Sequence, residues 1–156
     1  MLVSAGGGYF RALGDIGGVL DPGYSFRAFI QGREPGDPLA VGFELDFAPL
    51  KDKENAGGIT YISALPSLAL VFTPVSSLDI QLRAAAGLTL VRSVIARETD
   101  SVERSSLDFT VGAGAGIWKT FGGRYAVGLE TQYLYYFEKT GSSSLGAYLC
   151  AGYRFD

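Results

Sequence analysis

"DFTVGAGAGIW", residues 108–118, sets glycine at every second position, with Phe109, Val111, Ala113, Ala115 and Ile117 between and around Gly112, Gly114 and Gly116. Such spacing suits either a loop that cradles a phosphate or one wall of a strand lying between two environments. A phosphate loop needs a helix directly after the glycines, whose N-terminal amides hold the anion. The following "IWKTFGGRY" offers none. The stretch therefore reads as a strand with one apolar side and one side nearly stripped of side chains.

The same period of two runs through most of the chain. Leu145, Ala147, Leu149, Ala151, Tyr153 and Phe155 oppose Ser144, Gly146, Tyr148, Cys150, Gly152 and Arg154. Tyr125, Val127, Leu129, Thr131, Tyr133, Tyr135 and Phe137 oppose a face that includes Gly128, Glu130 and Gln132. Residues 78–90, 39–47 and 24–31 alternate likewise. Residues 3–13 are blurred by Gly6, Gly7 and Gly8, and residues 59–72 change phase near Pro66, where a bulge or bend is expected. The connectors, such as "GDIGGVLDPG", "KDKENAGG", "TPVSS", "RETDSVERSS", "FGGR" and "EKTGSSS", carry turn chemistry. About eight strands result, with no helix required, in one domain over residues 1–156. Residues 56–78 lack charge, yet Gly57, Gly58, Pro66 and Pro74 argue against a spanning helix there.

Composition narrows the chemistry. Net charge is −3 with no basic cluster, which excludes a nucleic-acid partner. Histidine is absent, so Ser-His and Cys-His pairs and histidine zinc sites are excluded. Cys150, the single cysteine, has no disulfide partner and reads as a buried, inert thiol. No cofactor or metal site is expected. Glu44 and Asp46 form the nearest acidic pair, and they read as partners of arginines rather than as catalytic groups.

An antiparallel barrel can turn either face inward. A soluble, lipocalin-like barrel that binds a hydrophobic ligand would place the glycine-rich face in water. Yet that face is mostly Gly, Ala, Ser and Thr, a poor water surface but a good lining for a narrow lumen with apolar residues facing lipid. Residues 78–90, tilted about 45°, rise about 30 Å, the thickness of a hydrocarbon core. The charges of the inner face, Arg27, Glu44, Asp46, Asp79, Arg83, Asp108, Glu130 and Arg154, are expected to pair across the lumen, because an isolated buried charge costs several kcal/mol. Trp118, Phe121 and Tyr125 at one end, with Tyr133, Tyr135 and Phe137 at the other, suit interfacial aromatic girdles. Arg92 lies on the lipid-facing parity and must sit at headgroup level.

With these features the whole chain resembles the small outer-membrane β-barrels of Gram-negative bacteria, the eight-stranded class of the OmpA, OmpX and OmpW barrel domains. The last strand, "LGAYLCAGYRF", carries the resemblance furthest: Tyr153 and Phe155 look like the signal read by the barrel assembly machinery, although Asp156 follows the terminal aromatic. The resemblance implies a mature protein of the bacterial outer membrane, its signal peptide absent, with both termini periplasmic. It also implies contact with outer-membrane lipid and lipopolysaccharide, and a monomer. The expected role is non-enzymatic: a structural barrel, or at most a narrow porin-like path for small solutes or hydrophobic compounds. Recognition of an extracellular ligand through loops 51–58 and 97–106 is the alternative.

Overall fold

The computed structural model describes residues 1–53, 57–96, 101–137 and 141–155. Eight strands dominate it: β1 Leu2–Leu13, β2 Gly23–Arg33, β3 Leu39–Lys51, β4 Gly57–Val75, β5 Leu78–Ala96, β6 Ser101–Phe121, β7 Tyr125–Tyr136 and β8 Ser142–Arg154. Each pairs antiparallel with the next, and β1 pairs with β8 to close the ring. Among the described residues no helix is long and apolar enough to cross a membrane; the chain is a transmembrane β-barrel of up-and-down topology. Closure satisfies the backbone of every strand without an open edge, as hydrocarbon requires.

The large apolar side chains point outward. Leu129 is 66% exposed, Leu107 65% and Leu149 60%, values that fit lipid contact and would be untenable as a continuous water surface. On β6 the outward positions from 107 to 117 are Leu107, Phe109, Val111, Ala113, Ala115 and Ile117, without a charge. At strand rise and tilt that span covers about 25 Å, the height of an apolar band. Arg11, Lys51 and Arg92 are exposed beyond it near the loop end, and Lys119 near the turn end.

Short turns join the strands at the end that holds both termini. Residues 76–77 link β4 to β5, and residues 122–124 link β6 to β7, where Gly122 and Gly123 take φ of 57° and 74°. That left-handed pair is why two glycines stand at the turn.

Three details depart from the sequence reading. The first connector contains a short helix, α1 (Gly14–Val19), where none was expected; its Ile16 packs on the apolar cluster inside the barrel mouth, so tertiary burial overrides the low helix propensity of its glycines. The phase does not change at Pro66. Tyr61, Ser63, Leu65, Ala69 and Val71 all face inward, Pro66 faces out, and the only register shift between β4 and β5 falls between Phe72 and Val75. The apparent change arises because apolar residues, not polar ones, fill the lumen here. Finally, residues 101–106 are not loop: β6 begins at Ser101 and pairs with β5 up to Ala96↔Ser101. Of the two expected ligand loops, 54–56 and 97–100 lie outside the described residues, as does Asp156.

Candidate functional site

Unlike chemical groups converge in the lumen, and strand register explains how. Arg27 on β2 is the direct partner of Asp46 on β3. Its guanidinium donates to both carboxylate oxygens, Nε at 2.7 Å to Oδ1 and Nη2 at 3.3 Å to Oδ2, in the two-pronged geometry that favours arginine over lysine. Nη1 donates to Glu130 Oε2 at 3.1 Å, and Nη2 also donates to Gln132 Oε1. Arg83 on β5 donates from Nη2 to Glu130 Oε1 at 2.8 Å and lies 3.3 Å from Glu44 Oε1 through Nε.

β6 stands between Arg83 and Glu130. In register, Arg83 pairs with Gly114 and Gly114 with Gln132, while Gly116 pairs with Glu130. With no side chain on β6, the arginine reaches across it to the carboxylate. A Cβ at Gly116 would lie 3.1 Å from Glu130 Cγ and 3.2 Å from Oε1. The alternating glycines of the opening stretch are the floor on which this ion pair forms.

Two guanidiniums thus meet three carboxylates, knitted together by neutral donors: Gln132 Nε2 donates to Glu44 Oε2 at 3.0 Å, and Trp118 Nε1 to Glu130 Oε1 at 2.9 Å. The guanidinium faces are also used, Arg27 lying 4.2 Å over the Tyr148 ring and Arg83 4.5 Å over Phe29. The void against the cluster is about 10 Å³.

Toward the loop end the lining becomes apolar: Phe10, Leu50, Tyr61, Leu65, Leu134 and Tyr136 pack together, with Leu20 entering from the first loop. Within this apolar layer, Ser63, Thr89 and Thr110 form a hydroxyl ladder across β4, β5 and β6 at 2.8 Å per step. Toward the chain ends Arg154 binds Asp79, which also accepts from Thr73 Oγ1 at 2.5 Å. A cavity of about 290 Å³ opens there.

Of the expected inner-face charges, Arg27, Glu44, Asp46, Arg83 and Glu130 meet in one cluster, and Asp79 and Arg154 pair separately at the terminal mouth. Asp108 does not join them. It lies above Thr110↔Tyr136, the last β6–β7 pair, and accepts from Ser106 Oγ at 2.8 Å. Trp118 is no girdle residue: it is 0% exposed, in the lumen, edge-on to Phe29 with ring centroids 5.4 Å apart. Its even parity places it with the glycines, and it lies over its cross-strand partner Gly128, whose missing side chain makes the room. Phe121, Tyr125, Tyr133, Tyr135 and Phe137 are exposed on the outer face. Gln132, Gln81 and Thr73 were missed as members of the polar network. For the two glutamines the signal was available, since they share parity with Glu130 and Arg83.

No family model matches the chain, and no curated protein matches it in sequence. Solved structures do match. Neisserial surface protein A superposes with a TM-score of 0.75 at 18% identity, over 99% of this chain and 96% of its own. Ail, the attachment invasion locus protein of Yersinia pestis, solved with the heparin analogue sucrose octasulfate, gives 0.65 at 14% identity over 99% and 97%. The outer-membrane enzyme PagL gives 0.56 at 15% identity over 99% and 100%. The fold is that of the small outer-membrane barrels. Because it carries a surface protein, an attachment protein and an enzyme, it does not choose among activities.

Proposed function

We propose that the chain is an integral protein of the bacterial outer membrane, without enzymatic activity, whose barrel is a closed structural scaffold rather than a pore. The filled lumen carries this reading. The inside of an eight-stranded barrel is only wide enough for its own side chains, and here an ionic layer and an apolar layer occupy it in series. A void of about 10 Å³ holds at most a single water. The absence of histidine supports a non-enzymatic role, as does the engagement of Glu44 and Asp46 by arginines. Lipid is the expected surrounding partner, with Arg11 and Arg92 placed to meet anionic headgroups of lipopolysaccharide. Tyr153 and Phe155, packed edge-to-face at 4.8 Å, are the residues offered to the assembly machinery. A closed ring with no free edge within the bilayer favours a monomer.

Planar-bilayer recording tests the proposal. The refolded barrel is expected to give no stable conductance steps, and regular unitary steps from the wild-type protein would overturn the sealed reading.

A second reading, surface recognition, rests on the β5–β6 hairpin. The described β6–β7 pairing begins at Thr110, so residues 101–108 of β6 stand above it. Replacing residues 93–104 by a tight turn should leave barrel folding intact, and it would abolish any attachment of barrel-bearing vesicles to cell-surface material. Attachment that survives the replacement rules the hairpin out.

A further inference from the structure

The outer wall carries an apolar groove of about 690 Å³ that crosses from β5 to β1. Strand register builds it. Ile117, Leu129 and Leu149 are cross-strand partners and form a raised, exposed row. The next outward row toward the loops holds Ala115, Thr131 and Ala147, and the row after that holds Tyr133 and Leu145. Small side chains between two rows of large ones leave a trough. Thr131 Oγ1 turns to the Ala115 carbonyl oxygen at 3.5 Å, so its methyl group is what the floor presents.

The trough also climbs. Its lining runs from Ile80, the third residue of β5, to Gly7, the sixth of β1. A cross-strand row runs at right angles to strands that tilt about 45° in a barrel of this kind. Four strand spacings of about 4.8 Å then raise it by about 14 Å. One leaflet is half of a hydrocarbon core about 30 Å thick. The groove therefore enters the bilayer at the interface near both chain ends and finishes close to the midplane, where the large row stops at Gly7.

A charge stands at the low end. Lys119 is the next outward residue after Ile117 on β6, and its Nζ lies 5.5 Å over the Phe121 ring. Among the described residues its outward neighbours are Leu78, Phe121 and Val127, with no carboxylate to hold it. A second copy of the chain would need no cation at one end of the contact. A lipid with an anionic headgroup needs one there, with a linear apolar path above it.

We propose that this groove holds one anionic phospholipid of that leaflet, its phosphate at Lys119 Nζ and one acyl chain laid along the trough toward Gly7. The inference rests on the barrel spanning the bilayer and is independent of the sealed lumen.

Native mass spectrometry of the full-length barrel released from micelles tests this. Phosphatidylglycerol is the probe, and phosphatidylcholine with the same acyl chains is the comparison. One retained phosphatidylglycerol per barrel is expected, with several-fold lower retention of phosphatidylcholine. Lys119→Gln should cut phosphatidylglycerol retention about fivefold and remove the preference, while Lys119→Arg should keep it. Ala147→Trp, which fills the trough, should lower retention of both lipids about tenfold. Ala86→Trp, also on the outer face but outside the groove, should leave retention unchanged. Both tryptophans point away from the lumen, so both variants should keep the gel mobility of the closed barrel. Equal retention of the two lipids by the wild-type chain would overturn the proposal, as would equal effects of the two tryptophans. A dimer peak that Ala147→Trp removes would give the groove to a second copy and overturn it too. A chain that stays unfolded in micelles breaks the membrane reading itself, whereas a folded barrel without lipid preference breaks the groove alone.

Discussion

Around Arg27 and Arg83 the lumen is filled by charges that satisfy one another, whereas around Tyr61, Leu65 and Tyr136 it is filled by side chains that would serve in any water-soluble core. The ionic layer depends on direction: each carboxylate oxygen needs a donor at a set place, so arginines, glutamines and bare glycines must appear in register. The apolar layer depends on volume, and several combinations of Leu, Tyr and Phe could fill it. One narrow barrel therefore contains a region specified by partners and a region specified by packing.

This contrast can be broken most sharply at Arg27. Arg27→Ala leaves three carboxylates facing one guanidinium, and stability should fall by about 3–5 kcal/mol, read from urea unfolding in micelles. Replacing Arg27 and Asp46 together by Met and Leu should recover much of the loss. If the pair change is as harmful as the single one, the layer is not held by mutual charge satisfaction. In the apolar layer Leu65→Ala, at a fully buried position, should cost about 2–5 kcal/mol with no recovery available from a partner change. Gly116→Val tests the floor beneath the ion pair. Crowding of Glu130 should cost about 1–3 kcal/mol, and an unchanged unfolding midpoint would show that the bare wall is dispensable. The smallest change is expected for Tyr136→Phe, which removes the 2.8 Å bond with Ser144 Oγ and leaves the packing, at about 0.5–1.5 kcal/mol.

The sequence made the two layers unequally visible. Where the interior is ionic or glycine-lined, as in residues 107–117 and 125–136, inner and outer faces differ in kind and alternation assigns them. Where it is apolar, both faces look alike, and so Tyr61 and Leu65 suggested a change of phase that does not exist. In β1 the run Gly6–Gly8 blurs the alternation, and the inward Phe10 adds to it for the same reason. Trp118 was misplaced because aromatic residues near a turn suit a headgroup girdle, while its parity and the cross-strand Gly128 pointed inward. The joining of Arg83 to Glu130 over Gly114 and Gly116 needed the register of three strands, which no single segment contains. Thr73 escaped because the register shift beside it depends on the pairing with β5.

The pairing of β1 with β8 sets a condition on time as well as on shape. Leu2 meets Arg154 and Leu13 meets Ser143, so the first strand acquires one of its two neighbours only when the last has arrived. Every other seam joins strands that are adjacent along the chain. Contacts of such long sequence separation form slowly, because the loop between them must be closed before they contribute. Until then β1 offers an unpaired edge to any strand nearby. Conditions that delay this seam, rather than those that weaken either lumen layer, should therefore set how much chain is lost to aggregation during assembly.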